Sequence, residues 1–307
     1  MAQDTTVTDV GVAAGGLGTA VAAATVQFNK AAVMPGLITM VPAPAGTNTV
    51  QFPVYTKHDP THADHGVDEQ ASGAEETIAN LTNIETTAVS CEVLRRAIRA
   101  EISDLSAHGN GDALLINAAR QLGNDVARKF DVEVAALLDG FATAVGQDDA
   151  MTFLIFMDAI ANLENNDAPR PYSCVLHPQQ IWGSFGIGQE FSNIATPAYS
   201  GGGMFAGQAS DSVKNQFMDS GLVTNIAGVN IYTTTAVPAG ATGRKRGGMF
   251  SKEAIGCGYI DFGGGNFIQM ASEREEAYAK TTLVSNAYYK ASELVDLWGV
   301  EIDTEIS

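Results

Sequence analysis

Apolar positions recur every three or four residues at Leu115, Ala118, Ala119, Leu122, Val126, Phe130, Val134, Leu137, Leu138 and Phe141, which predicts one helix over residues 112–139 with a single apolar stripe. Asp112 is placed to cap its start and Gly140 to end it. At 1.5 Å per residue the helix is roughly 40 Å long, and its stripe needs a sheet to cover it. Gly123 inside it costs about 1 kcal/mol relative to Ala, which signals a bend or the close approach of another backbone.

Upstream, residues 19–33 have helical character, Pro35-Gly36 stops them, and the Pro- and Ala-rich stretch 42–46 is extended. Val50, Phe52 and Val54 alternate as in a strand, and Pro53 confines that strand to an edge. The pattern then dissolves over residues 57–80 into Asp, Glu, His, Gly and Thr, and alternation resumes over 84–88. A polar excursion between two strands reads as a long two-stranded loop that projects from the body.

Downstream of the long helix the elements are short. Residues 151–163 form an amphipathic helix on a Phe153/Met157/Ile160 stripe, and Pro169 and Pro171 separate it from an apolar strand over 172–176. His177-Pro178 turns the chain into a short helix through Ile181, Trp182 and Phe185, with both aromatic rings read as core. A Gly-rich loop over 200–207, a helix over 211–218 and a hairpin about Gly228 follow, and residues 266–306 are mostly strand with an acidic rim. Economy predicts that these last strands return to cover the long helix.

Charge narrows the function. The chain has 35 acids against 17 bases, a formal charge of -18, which argues against nucleic-acid recognition by phosphate neutralisation. An acidic wall can nonetheless enclose DNA, because it does not trap phosphate. Residues 61–110 and 261–307 each carry nine acids and three bases, and only 211–260 is positive, with five bases and three acids. No apolar run is long enough to span a membrane, and no basic leader precedes residues 10–24. Cys91, Cys174 and Cys257 are odd in number and far apart, so they read as reduced, partly buried thiols.

No catalytic pattern emerges. The glycine stretches lack phosphate-loop and dinucleotide spacing, and Gly183-Ser184 lacks a nucleophile elbow. Glu75-Glu76 and Glu275-Glu276 are adjacent and point apart on a strand. His58, His62 and His65, beside Asp59, Asp64, Asp68 and Glu69, have the chemistry of a divalent-metal site, but Pro60 prevents the helix that would align the rings. A solvated loop tip is the better reading, with no metal and no cofactor. Arg244, Lys245 and Arg246 sit between glycines in a predicted loop, either as a solvated tip or as a contact for an acidic face of a neighbouring subunit.

The order of arm, projecting hairpin, long helix, α/β insertion and final strands resembles the major capsid proteins of tailed bacteriophages, with their Hong Kong 97-type fold. Short motifs carry the likeness. Residues 96–104, with Ile102-Ser103, are similar to the family's strand leading into its spine helix. Residues 173–178 with Ile181-Trp182 look like its strand, proline turn and short helix, and residues 228–232 with Val237-Pro238 resemble its late hairpin.

The resemblance implies an α+β fold with an N-terminal arm (1–50), an extended loop (51–93), a peripheral domain with the spine helix (94–147), an axial domain (148–256) and C-terminal strands returning to the peripheral domain (257–307). It further implies a non-enzymatic subunit that forms hexamers and pentamers of an icosahedral head around double-stranded DNA, assembled in the host cytoplasm. Its partners would be a separate scaffolding protein, a portal and, in some heads, a decoration protein. Lys57 lies only at the loop's base, so lysine crosslinking is not expected. The inter-subunit contacts expected on this reading join loop acids Asp64, Asp68, Glu69, Glu75 and Glu76 to Arg95, Arg96, Arg99, Arg128 and Lys129, with Arg244, Lys245 and Arg246 as a second basic contact. The alternatives are an encapsulin-like cargo shell and a surface-layer protein.

Overall fold

The periodic stripe folds into α1, Asp112–Ala135, which tightens into a 3₁₀ turn over Ala136–Gly140. The computed structural model describes residues 23–24, 26–28, 31–55, 86–103, 112–147, 149–188, 225–241, 243–262 and 267–306. Ala119, Leu122, Val126, Phe130, Val134 and Leu138 of the stripe are buried. A Cβ on Gly123 would fall 2.4 Å from the carbonyl oxygen of Ala24, so this glycine admits the arm's backbone against the helix.

Strands β1 (Thr39–Pro42), β4 (Leu94–Ser103), β10 (Ile255–Tyr259), β11 (Ile268–Glu275) and β12 (Lys280–Glu293) form a five-stranded sheet. β12 is long enough to pair with β4 and β11 along its first part and with β10 along its last. Its Leu283, Ser285, Ala287 and Tyr289 share the buried face toward α1, as the two-residue period of a strand requires. Phe28 of the arm, Phe130 of α1, Phe267 and Tyr289 stack at centroid distances of 4.9 to 6.1 Å. Such pairs contribute about 0.5–1.5 kcal/mol each beyond their burial.

A second sheet has the order β5 (Ala144–Val145), β13 (Gly299–Glu305), β9 (Arg244–Ser251), β6 (Tyr172–Leu176), β8 (Val229–Thr233), β7 (Asn225–Ile226). Helix α2, Phe153–Asn165, starts at Thr152, whose hydroxyl accepts from the Ile155 amide. Helix α3, Pro178–Trp182, starts at a reciprocal cap in which His177 accepts from the Gln179 amide and Gln180 accepts from the His177 amide. The fully buried Gln180 also donates to the Lys245 carbonyl and the Thr304 hydroxyl, tying α3 to β9 and β13.

Four expectations are corrected. Residues 244–246 are not a loop but the start of β9, because its buried Gly-Met-Phe-Ser end and its register with β13 carry pairing back to Arg244↔Glu305. The final strands divide: β11 and β12 lie under α1, whereas β13 joins the second sheet, where Val300 and Ile302 enter the core against α2. The buried face of α2 is set by Ile155, Phe156, Ala159, Ile160 and Leu163, which leaves Met157 exposed and Phe153 only partly buried. Trp182 and Phe185 are not core: Trp182, the last residue of α3, is 48% exposed, and Phe185, past its end, is 37% exposed. The stretches 200–207 and 211–218 lie outside the described residues.

Candidate assembly surfaces

Two features flank the body of this fold, and specific residues fix how the described part of each is attached to it. The first is the arm. Asp131, 3% exposed on the apolar face of α1, accepts the backbone amides of Val33 at 3.0 Å and Met34 at 3.1 Å. Burial pushes the Asp131 carboxyl up and these two amides pull it down. With Phe28 in the aromatic cluster, the carboxylate anchors the arm on its own subunit's helix.

The second is a two-stranded ribbon of β2 (Thr49–Tyr55) and β3 (Thr86–Glu92), which among the described residues pair only with each other, in keeping with the edge role of Pro53. At its base Val50, Phe52, Cys91 and Val93 form a small core. A Cβ on Gly258 of β10 would fall 2.8 Å from a Val50 methyl; the glycine lets the ribbon lie close on the sheet. Residues 56–85 join the two strands, and the loop residues His58, His62, His65, Asp64, Asp68, Glu69, Glu75 and Glu76 lie outside the described residues. Among the described residues no cluster of His, Cys, Asp and Glu could hold a metal.

The basic candidates fall into two groups. Arg95, Arg99 and Arg128 are exposed; Arg95 donates to Asn286 at 2.8 Å, and Arg99 lies 3.6 Å from Glu101. Of the others, Arg96, Lys129, Arg244 and Arg246 lie closer to acids of their own chain. Arg96 pairs with Glu133 at 2.8 Å and lies over the Tyr289 ring, and Lys129 reaches the same Glu133 at 3.1 Å. Burial raises the Glu133 carboxyl, but Arg96 and Lys129 more than offset it and hold the group below its ordinary range.

Arg244 pairs with Asp303 at 3.0 Å, and Arg246 is ringed by Asp139, Glu301 and Asp303. Burial is the main cause that pushes Glu301 up to about 7, against the pull of Arg246. Lys245 helps to depress His177, whose larger cause is burial. Sequence reasoning missed Asp131 and the Asp139/Glu301/Asp303 acids. An Asp between Phe130 and Val132 in an apolar stripe was the available signal for the first.

The three cysteines are free and buried, as expected. Burial lifts the Cys174 thiol and pushes Cys257 up to about 12, so neither is a nucleophile at neutral pH. No helix among the described residues is long and apolar enough to cross a membrane.

Long helix, two sheets and ribbon have the α+β arrangement of the Hong Kong 97-type fold that the sequence order suggested. Among solved structures, the capsid of Ralstonia phage GP4 superposes with a TM-score of 0.63 at 11% identity, covering 88% of this chain and 87% of that one. The capsid of the cyanophage P-SCSP1u gives 0.61 at 17% identity, covering 90% and 89%. The virus-like particle from Pyrococcus furiosus gives 0.56 at 7% identity, covering 93% and 98%. No protein-family model matches the sequence, and no curated protein matches it.

Proposed function

We propose that the chain is the major capsid protein of a tailed phage, a structural subunit that assembles into hexamers and pentamers of an icosahedral head enclosing double-stranded DNA. The observation that carries this reading is the match along nearly the whole chain to phage capsid subunits, in a fold whose arm and ribbon suit reach to neighbours. We assign it no catalytic step and no cofactor. On this reading the unit of the six-stranded sheet, β13 included, is the axial domain, and α1 with the five-stranded sheet is the peripheral one. A scaffolding protein and a portal are its assembly partners, a decoration protein is an optional third, and the virion is its final location.

The contacts follow from the charges. Residues 57–80 carry six acids and one base, so seating this loop on a neighbour requires cations there. Arg95, Arg99 and Arg128 are exposed and suit that role, Arg99 being held only loosely, 3.6 Å from Glu101; Arg96, Lys129, Arg244 and Arg246 lie closer to acids of their own chain and are weaker candidates. Exposed pairs contribute only about 0.2–1 kcal/mol each, but symmetry repeats them around every ring.

An encapsulin-like cargo shell has the same fold class, and particle contents separate the two. Co-expression with the scaffold followed by sedimentation is expected to give fast-sedimenting closed particles. Only monomer at every salt concentration would overturn the shell reading, and particles filled with one folded protein would favour the cargo shell.

A further inference from the structure

The five-stranded sheet ends in two edges of opposite charge. β12 pairs with β4 along one side over residues 280–289 and with β11 along the other over residues 280–287, and among the described residues neither outer strand pairs with anything else. β4 is ten residues long and β11 eight. An edge of that length presents a row of backbone N–H and C=O groups ready to pair with another chain. Both strands are antiparallel to β12, so they run in the same direction.

Register fixes which side chains line each edge. Leu283 and Ser285 face α1, so Thr282 and Val284 face away, and with them go their partners Glu101 and Arg99 on β4 and Glu273 on β11. The two-residue period adds Arg95 and Ala97 to the first edge and Glu275 to the second. Arg95, Ala97, Arg99 and Glu273 are exposed. Glu101 and Glu275 both reach Lys280, at 3.2 and 3.3 Å, which partly meets their charge within the subunit. The face away from α1 is therefore basic along β4 and acidic along β11. Charge at a sheet edge ordinarily guards against pairing, and here it guards selectively. Two β4 edges would gather arginines, two β11 edges would gather glutamates, and like charges across strands destabilise, whereas unlike edges attract.

We propose that β4 of one copy and β11 of the next form a head-to-tail contact that continues the sheet from subunit to subunit. The proposal rests on the shell reading, which requires copies to associate, and names where they do so. A neighbour placed by rotation without reversal adds its β11 parallel to β4. In straight register Glu273 would lie beside Glu101, because both pair with Thr282. Sliding β11 four residues toward the start of β4, about 13 Å, instead sets Glu275 beside Arg99 and Glu273 beside Ala97, between Arg95 and Arg99. No like charges are then opposed, and the even shift keeps every side chain on its own face. A guanidinium has five donors, so both arginines can serve a loop acid as well. Because the contact joins two different surfaces, it extends from copy to copy and closes into a ring where the rotation allows.

The test places cysteines where the stagger sets residues side by side. The full chain carrying both Ala97→Cys and Glu273→Cys is assembled with the scaffold and treated with a short thiol-to-thiol crosslinker; the native cysteines are buried. A ladder of covalent oligomers is expected from the double variant and none from either single variant. Alongside, Arg99→Glu and Glu275→Arg are each expected to slow assembly by about tenfold, and the two together to restore most of the rate. Particles that form without a ladder, or covalent dimers from Ala97→Cys alone, would overturn the edge contact while leaving the shell reading intact. Only monomer from the parent at every salt concentration would overturn both. If the cysteine variants do not fold, the charge exchange decides: a double reversal no faster than the single ones rejects the contact.

Discussion

Asp131 shows how one side chain decides the path of the arm. Its carboxylate is the only partner found for the partly buried Val33 amide and the buried Met34 amide among the described residues, and leaving buried donors unsatisfied costs about 1–3 kcal/mol each. Asp131→Ala is expected to lower unfolding stability by ~3 kcal/mol, and Asp131→Asn, which keeps one acceptor, by about a third of that; urea titration checks both. If Asp131→Ala is neutral, the arm is not anchored there. Glu133 tests the neighbouring network with pH. Its folded carboxyl lies below the ordinary 4.5, so its contribution is present above 4.5 and is lost as pH falls through the folded value. Glu133→Gln should therefore destabilise at neutral pH yet narrow its gap to the parent as pH falls below the ordinary 4.5 and through the folded value, as melting curves across that range would reveal.

At the scale of elements, the ribbon and its loop are where the proposal bears most weight. Deleting residues 60–76 is expected to leave the helix signal and the melting of the subunit unchanged while abolishing or greatly weakening assembly. Shells of the deletion variant as resistant to heat and salt as the parent's would make the loop decoration. Elements legible in the sequence were those whose signal is local. α1 was found from its 3.6-residue period, and β6 was bounded correctly, Tyr172–Leu176, because prolines punctuate both sides. β9 was misread because Gly-Arg-Lys-Arg-Gly is locally a loop. Only its register with Glu301, Asp303 and Glu305 of β13 makes it a strand, and no local rule reports a partner so distant. The basic candidates failed in the same way: Arg96 finds Glu133 37 residues away and Arg246 finds Asp139 107 residues away, so cations that look free in sequence are paired in space.

For the whole molecule, the formal charge of -18 makes copies of the chain repel one another, so on the proposed shell reading it opposes association. At physiological ionic strength the Debye length is about 8 Å, so repulsion acts between close faces and leaves local pairing intact. Assembly should consequently be fastest at moderate salt, slowed at very low salt by net repulsion and at very high salt by screening of the Arg95, Arg99 and Arg128 contacts, a dependence that light scattering can follow. The most direct test of the central claim is cryo-electron microscopy of the particles formed with the scaffold present. The expected reconstruction is a closed icosahedral wall in which this subunit, with α1 and both sheets as described, repeats in rings of six and five. Open sheets, filaments, or a wall into which the subunit does not fit would contradict it.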